Sequence, residues 1–167
     1  MREKIDDILF TLGCNIERYQ HPPLPTSDAA KELCIERSGV QIKNLFLNDN
    51  YRKRHFLLLT TPEKKIDLKV LSKQLKVSRL GFASSRRLNH YLNGQPGHVS
   101  FLLLVNDQEK NVELLIDQDI WQAESLQAHP GINTETYVLS KVDVVKFLKY
   151  TGHESKIVYV PIANSEE

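Results

Sequence analysis

Apolar residues recur at helical spacing at the start of the chain. Ile5, Ile8, Leu9 and Leu12 fall at i, i+3, i+4 and i+7, which is the period of an amphipathic helix. The pattern predicts a helix over residues 2–12, ended by the glycine that follows it.

Prolines interrupt the pattern after a short predicted strand at residues 16–19. The segment 21–25 carries three prolines, which lack the N–H that a strand ladder needs. These prolines predict that the segment forms a rigid loop that faces a cleft. Thr26 or Ser27 can cap the next helix, which we expect to extend through Cys34.

Two pairs of apolar runs predict hairpins. Residues 41–47 and 55–60 are separated by Asn48-Asp49-Asn50, which is typical turn chemistry. Residues 101–105 and 112–116 flank a polar segment and predict a second hairpin.

The remaining patterns predict three helices and a final strand. Two helices are expected at 67–75 and 84–92, the second followed by a turn-rich connection. Ser140-Lys141-Val142-Asp143 reads as a capping box that opens the third helix, and Gly152 suits the end of that helix. The strand is expected at 157–160.

Helices mixed with strand pairs, without regular βαβ alternation, indicate the α+β class. We expect a single domain over residues 1–163, with a mixed, largely antiparallel sheet flanked by helices, and a loose tail at 164–167. The chain has 167 residues, of which 41% are hydrophobic and 26% charged, values typical of one compact globular domain.

Composition excludes several classes of protein. No apolar run approaches the length of a membrane span, and the charged first residues do not resemble a secretory signal, so a cytoplasmic protein is expected. Cys14 and Cys34 lie in no CxxC pair and are expected to be reduced structural thiols, although a catalytic thiol stays open. The six histidines show no zinc-binding spacing, so neither a metal nor another cofactor is predicted.

Basic residues concentrate in the middle of the chain. Residues 51–90 contain eleven lysines or arginines and two carboxylates, a local balance of +9 on a chain whose formal net charge is +1. Such a segment can bind a limited length of phosphate backbone. Lys69, Lys73 and Lys76 recur at helical spacing, so the same charges are equally explained as the solvated face of a helix.

Three polar residues lie in contexts that suggest chemistry. Lys43 is embedded in an apolar strand, so its ammonium must reach either solvent or a specific anion. His129 precedes a proline, and a lone histidine there is more often structural than catalytic. His153 follows a helix and suits a structural role at the helix end.

The order and spacing of several short segments resemble the prolyl-tRNA editing superfamily, the free-standing relatives of the insertion domain of bacterial prolyl-tRNA synthetase, and within it the PrdX (ProX) branch. The resemblance covers nearly the whole chain. The segments are 19–23, 43–47, 54–57, 67–69, 79–84, 97–100, 106–107, 129–134, 147–148 and 152–153.

The resemblance implies a site. Lys43 would bind the phosphate of the terminal tRNA adenosine, the backbone at Gly97 would approach the aminoacyl group, and His129 would hydrogen-bond or position the aminoacyl ester. Further contacts with the substrate are expected from Asn44, His98, Val99, Ser100, Phe101, Pro130, Asn133 and Thr134.

One departure from the family pattern affects this site. The family places a proline four residues after the glycine, where this chain has Phe101, and Leu103 stands where the branch commonly has glycine. The substitution could reshape or narrow the pocket, or mark a member that binds tRNA or a nucleotide without cleaving it.

The resemblance implies a hydrolase that acts in trans on mischarged tRNA(Pro), with alanine as the leading acyl group and cysteine, serine or threonine as alternatives. Prolyl-tRNA synthetase is a possible further partner. The sequence shows no GxSxG motif or other activated nucleophile, which agrees with a family strategy in which substrate groups and backbone donors assist a water molecule.

Overall fold

The computed structural model describes residues 1–23 and 38–163. These residues form two sheets and six helical segments. The strands are β1 (Glu17–Gln20), β2 (Lys43–Asn48), β3 (His55–Thr60), β4 (Gly81–Phe82), β5 (Val112–Asp117), β6 (Ser125–Ala128), β7 (Glu135–Ser140) and β8 (Ser155–Val158). The helices are α1 (Arg2–Thr11), α2 (Leu68–Leu75), α3 (Ser85–Leu92), a 3₁₀ helix (Phe101–Asn106), α4 (Gln118–Trp121) and α5 (Lys141–Thr151).

The two sheets differ in strand direction. The smaller has the order β1-β7-β6 and is antiparallel throughout. The larger has the order β4-β2-β3-β5-β8, in which β4, β2 and β3 pair antiparallel whereas β5 pairs parallel with both β3 and β8. The predicted α+β class with a mixed, largely antiparallel sheet is confirmed.

Side chains cap three of the predicted helices. The carboxylate of Asp67 accepts a hydrogen bond from the Val70 amide (3.0 Å), which starts α2. The hydroxyls of Ser84 and Ser140 accept from amides three residues on and start α3 and α5 in the same way. Because each cap satisfies an amide that the helix cannot, these helix starts were readable from the sequence. Gly152 ends α5 in the left-handed conformation, as predicted.

The hairpin of β2 and β3 is confirmed, and the pleat of β2 separates its side chains onto two faces. Leu45 and Leu47 face α2, whereas Asn44 and Phe46 face the smaller sheet, as the two groups of packed residues show. Lys43 alternates onto the α2 face and lies opposite Thr60 of β3.

The core has two parts, one on each face of the larger sheet. The main part lies between the two sheets and joins α1, the 3₁₀ helix and α5 to both of them. The smaller part lies between the larger sheet and α2, with Leu71 fully buried at its centre. The connections that carry the candidate site therefore border the main core.

The second predicted hairpin is wrong. The run from Phe101 to Val105 is a 3₁₀ helix whose apolar side chains are all buried, and β5 pairs parallel with β3 at the centre of the sheet. A short, uniformly apolar run has no period, so sequence cannot distinguish a buried helix from a buried strand.

Other strands were missed or displaced. β6 and β7 flank the segment that contains His129 and were not predicted. β7 is buried at five successive positions and shows no alternation, whereas β6 alternates but is only four residues long. The two-residue strand β4 also escaped prediction. The final strand β8 begins two residues before the predicted one, and β1 is shifted by one residue. The predicted helix through Cys34 and the predicted tail at 164–167 lie outside the described residues.

No helix of the described part of the chain is long and apolar enough to span a membrane.

A buried histidine in β3 predicts how stability depends on pH. His55 is 1% exposed, and the Arg87 guanidinium lies 3.2 Å from its Nε2 atom. Burial, followed by the positive charge of Arg87, lowers the pKa of His55. The folded protein therefore binds fewer protons than the unfolded chain, and this contribution to stability is present above an unfolded pKa of about 6.5 and is lost as the pH falls through the lower folded pKa.

We expect the free energy of unfolding to decline below about pH 6.5 with a component from His55 of at most about 1.4 kcal/mol per pH unit. His55→Gln keeps an acceptor for Arg87 but does not titrate, so its profile in urea unfolding should be flatter. Superimposable profiles for the two proteins would contradict this assignment.

Candidate active site

Two connections meet at the edge of the main core. The glycine loop (residues 97–100) leads into the 3₁₀ helix, and the histidine loop (residues 129–134) joins β6 to β7. The buried Ser100 hydroxyl donates a hydrogen bond to the His129 carbonyl oxygen (2.5 Å) and accepts one from the Leu102 amide (3.1 Å). Ser100 therefore holds the two loops together and caps the 3₁₀ helix.

Each loop contains one glycine in the left-handed backbone conformation. Gly97 has φ +84° and is exposed, and Gly131 has the same φ. A Cβ atom at Gly131 would also lie 2.9 Å from the Met1 side chain. At Gly97 the exposed backbone carries no side chain that would keep a ligand away from its amides.

The ring of His129 is held at one nitrogen by the backbone. Its Nδ1 atom lies 3.0 Å from the Glu135 carbonyl oxygen; since a carbonyl can only accept, Nδ1 carries the proton. His129 is half-buried, and the Pro130 ring that follows is buried. In the neutral ring Nε2 is therefore an acceptor, the tautomer needed to position a hydroxyl or a water molecule.

A second histidine lies beside His129. The two ring centroids of His21 and His129 are 6.3 Å apart in an edge-to-face arrangement. The His21 ring contacts the Thr136 hydroxyl (2.9 Å), and its amide donates to the Thr134 carbonyl oxygen (3.0 Å). The Thr134 backbone thus joins the histidine loop to His21, while the predicted contact of Thr134 with a substrate stays a prediction. Asn133 is half-buried in the same loop, and its contact with a substrate stays a prediction.

Lys43 begins β2 and is half-buried. Its ammonium donates a hydrogen bond to the Lys64 carbonyl oxygen (2.6 Å). Lys64 is itself fixed, because the Lys64 ammonium forms ion pairs with Asp117 (2.7 Å) and Asp119 (2.8 Å). The Lys43 ammonium is thus held by a carbonyl at the end of the sheet and keeps its other protons for further acceptors.

The Asp117 carboxylate that anchors this corner is 1% exposed and also accepts a hydrogen bond from the Thr60 hydroxyl (2.7 Å). Desolvation opposes the charge of Lys64, yet its two carboxylate partners raise its pKa. The cation at Lys64 therefore persists and fixes the segment that holds Lys43.

A parallel bridge relates Lys43 to the histidine loop. Val40 pairs parallel with Leu126 of β6, through hydrogen bonds from the Val40 amide to the Ser125 carbonyl and from the Gln127 amide to the Val40 carbonyl. The two chains leave this bridge in the same direction, and Lys43 and His129 are each three residues beyond it. The segments that lead to Lys43 and to His129 are therefore neighbours at Val40 and Leu126.

Neighbouring residues of β2 face opposite sides. Asn44 faces the main core, the side of the two loops, and its Oδ1 atom is buried without a hydrogen-bond partner among the described residues. A buried amide oxygen without a partner costs free energy, and the contact of Asn44 with a substrate stays a prediction. Lys43 lies on the opposite, α2 side of the sheet from the two loops, and its contact with a substrate bound at those loops stays a prediction.

The remaining predicted residues divide between surface and core. His98 and Val99 are half-buried in the glycine loop, and the Val99 side chain packs at the margin of the main core. Phe101 is 1% exposed and its ring contacts that of Phe147, with centroids 6.0 Å apart. Its contact with a substrate stays a prediction, since the side chain belongs to the core.

His153 has a structural environment, as its position predicted. Its Nε2 atom lies 2.9 Å from the Asp107 carboxylate and its Nδ1 atom 2.9 Å from the Thr151 hydroxyl. Both members of the His153–Asp107 pair are buried. The His153 ring thus pairs with the Asp107 carboxylate at the end of the 3₁₀ helix and not with the backbone carbonyls at the end of α5.

Comparison with known proteins identifies the family. The family model for the aminoacyl-tRNA editing domain matches residues 21–147. The chain belongs to the aminoacyl-tRNA editing domain family. The resemblance seen in the sequence is thereby confirmed, together with the enzyme class it implied, a hydrolase that deacylates aminoacyl-tRNA.

Relatives of this editing domain align along almost its whole length. The chain is 33% identical over 150 residues to the prolyl-tRNA editing protein ProX of Acetoanaerobium sticklandii, covering 90% of this chain and 92% of that protein. It is 28% identical over 160 residues to the prolyl-tRNA synthetase associated domain-containing protein 1 of Danio rerio, covering 95% of this chain and 86% of that protein.

A solved structure shares the fold of this editing domain. It is described as a candidate trans-editing enzyme for prolyl-tRNA synthetase, superimposes with a TM-score of 0.70, covers 97% of both chains and is 15% identical. The chain therefore shares the overall fold of that structure.

Two further residues of this editing domain bear on its chemistry. His21 escaped the site prediction, although the segment that contains it was one of those that carried the family resemblance. Partial burial, followed by the Asp143 carboxylate, raises the pKa of the Cys14 thiol, which leaves it a poor nucleophile at neutral pH. Among the described residues, no group of three or more His, Cys, Asp or Glu side chains is arranged to hold a metal ion.

Proposed function

We propose that the protein is a trans-acting deacylase that hydrolyses the ester of mischarged tRNA(Pro), with Ala-tRNA(Pro) as its principal substrate. The observation that carries the proposal is the similarity to ProX over 90% of the chain, a protein named for prolyl-tRNA editing. Prolyl-tRNA synthetase is the enzyme whose errors would be removed, and we place the activity in the cytoplasm, where charged tRNA is used.

The need for such an activity follows from the limits of binding. A synthetase pocket built for proline cannot strongly reject a smaller apolar amino acid, because each methylene contributes only about 1–3 kcal/mol. A second site that admits alanine and excludes the larger proline ring removes the error by size. We propose that the half-buried Val99 of the glycine loop and the buried Pro130 of the histidine loop are the apolar surfaces that limit this space.

In the proposed mechanism each part of the site has one task. The Lys43 ammonium binds the phosphate of the terminal adenosine, and exposed backbone at Gly97 receives the aminoacyl group. His129, with Nδ1 held by the Glu135 carbonyl, positions the ester or the attacking water. Water adds to the ester carbonyl, the bond from the carbonyl carbon to the ribose oxygen breaks, and the proton released by the water ends on that ribose oxygen.

Incubation of the purified protein with labelled Ala-tRNA(Pro), Cys-tRNA(Pro) and Pro-tRNA(Pro) tests the proposal. We expect the alanyl ester to be lost fastest and the prolyl ester to survive at its spontaneous rate of hydrolysis. A second candidate, a tRNA-binding or nucleotide-binding module without turnover, is favoured by the aromatic ring at Phe101 in place of the family's proline. Binding of tRNA(Pro) without loss of any ester would establish this second candidate.

Replacement of Phe101 by the family's proline tests whether this position affects which acyl group is removed. Phe101 begins the 3₁₀ helix, a position whose backbone tolerates proline, so we expect Phe101→Pro to change the ratio of alanyl to cysteinyl ester hydrolysis. The lost ring contact with Phe147 will also cost about 3 kcal/mol or more of stability. Phe101→Leu controls for that cost because it removes the ring without changing the backbone. Equal ratios in all three proteins would exclude a role for position 101 in selection.

A further inference from the structure

A cleft at the other end of β2 is not used by the proposed mechanism. It has a volume of about 650 Å³ and lies between the end of β2, the β2–β3 turn, β4 and α3. The residues that line it include Arg52, Arg86, Arg87 and His90, together with the rings of Phe82 and Tyr91. No carboxylate is among the lining residues of the described chain, so the cleft is suited to an anion.

The three arginines of the cleft differ from other basic residues of segment 51–90 in what surrounds them. The guanidinium of Arg54 is neutralised by two hydrogen bonds to Glu113 (2.9 and 2.7 Å), and the ammonium of Lys64 is neutralised by Asp117 and Asp119. The side chains of Lys69 and Lys73 are exposed on α2, on the other side of the larger sheet. The cleft therefore keeps its positive charge, whereas much of the segment's charge is paired or solvated.

Arg52 occupies a costly backbone conformation at the mouth of this cleft. Its φ is +57°, in the left-handed region where glycine or asparagine is more favourable than arginine. The turn is fixed by the Asp49 carboxylate, which accepts hydrogen bonds from the Lys53 and Arg54 amides (2.8 and 2.9 Å). Glycine would adopt this backbone conformation without the steric cost that arginine incurs.

Ring surfaces accompany the charges. The Phe82 side chain is 67% exposed. The Tyr91 ring lies against His55, with centroids 4.1 Å apart, and Arg87 is held at the same wall by its contact with His55. Arginines interleaved with aromatic rings in an open groove are the arrangement that binds a nucleic acid backbone and stacks its bases, and they exceed what a single small anion needs.

We propose that this cleft binds the phosphodiester backbone of the tRNA substrate at a point inward from its 3′ end. This inference rests on the proposed function and names a second contact for the same substrate. Asn44 and Asn48 lie on one face of β2, four residues or about 13 Å apart. A stacked strand that rises about 3.4 Å per nucleotide covers this distance in roughly four steps. One tRNA strand can therefore reach the aminoacyl site and the cleft together.

The test measures binding of uncharged tRNA(Pro), which requires no ester and is independent of catalysis. The variants are Arg52→Gly and Arg86→Gln, both at exposed positions, and the matched controls are Lys69→Gln and Lys73→Gln on α2. Affinity is measured by fluorescence anisotropy at several salt concentrations. Each cleft variant should weaken binding about 3- to 10-fold and reduce the slope of log K against log salt by about one, whereas each control should retain the wild-type values.

Arg52→Gly also distinguishes binding from folding. Because glycine relieves the left-handed strain, its melting temperature should equal or exceed that of the wild type while its tRNA affinity falls. Cleft variants that bind with the wild-type affinity and salt slope, or α2 variants that weaken binding as much as cleft variants, would overturn the inference. A protein that hydrolyses no ester but shows this cleft-dependent binding would refute the deacylase proposal and support the inference.

Discussion

Lys43→Ala is expected to lower kcat/KM for Ala-tRNA(Pro) by about 100-fold, equivalent to about 2.7 kcal/mol of lost transition-state stabilisation. The half-buried ammonium is the proposed ligand of the terminal phosphate, and it is held in place by the Lys64 carbonyl oxygen (2.6 Å). Without it the 3′ end loses its fixed position relative to the two loops, and positioning is the main contribution the protein makes in the absence of an activated nucleophile. Single-turnover hydrolysis of labelled Ala-tRNA(Pro) measures the change.

Lys65→Ala is the matched control for Lys43→Ala. Its side chain is exposed one residue beyond Lys64, so its removal changes the net charge equally without touching the proposed ligand. We expect the wild-type rate. If Lys43→Ala also hydrolysed the substrate at the wild-type rate, the lysine would have no part in the reaction.

Asp107→Ala is expected to destabilise the fold by about 3–5 kcal/mol. The buried carboxylate accepts hydrogen bonds from the Asn111 amide (2.9 Å), from the Val112 amide (2.8 Å) and from the His153 ring (2.9 Å). Alanine would leave all three donors without their acceptor, and buried donors that lose their partners cost more than the bond itself gained. Urea unfolding followed by circular dichroism measures the loss.

Two further variants serve as controls for the loss of stability in Asp107→Ala. Asp107→Asn keeps the shape and one acceptor oxygen, so we expect a smaller loss than for alanine. Glu109→Ala removes an exposed carboxylate two residues away and should change stability by less than about 0.5 kcal/mol. A loss below 1 kcal/mol for Asp107→Ala would show that the His153–Asp107 pair does not anchor the connection from the 3₁₀ helix to β5.

Local chemistry explains which elements the sequence could predict. The starts of α2, α3 and α5 were readable because Asp67, Ser84 and Ser140 each cap a helix through their own side chains. The β2–β3 hairpin was readable because the Asp49 carboxylate organises a short turn between two apolar runs. These interactions join residues that are close in sequence.

Long-range pairing explains what the sequence could not show. β5 pairs with β3 on one edge and with β8 on the other, so neither edge is open to the run at 101–105, which forms a 3₁₀ helix. Lys43 and His129 are related through the bridge of Val40 with Leu126, 86 positions apart in sequence number. The family resemblance named both residues, but only the fold reveals that Asn44 and Lys43 face opposite sides of the sheet.

The cleft lined by Arg52, Arg86 and Arg87 also depends on long-range contacts that the sequence could not show. Sequence showed an excess of positive charge between residues 51 and 90 and left open whether it was a binding surface or a solvated helix. The structure divides these residues, since the α2 lysines are exposed on a helix while Arg52 and Arg86 line a cleft. Which charges converge depends on the β2–β3 turn and α3 meeting in space.

A double-mutant cycle of Lys43→Ala and His129→Ala on Ala-tRNA(Pro) hydrolysis tests the central claim, that the two side chains act on one bound aminoacyl end. Each single variant is expected to lose about 100-fold in kcat/KM. Because residues that act as a unit are not additive, the double variant should lose only slightly more than either single variant. Losses that multiply to about 10⁴-fold would show that Lys43 and His129 act independently and would contradict a shared site.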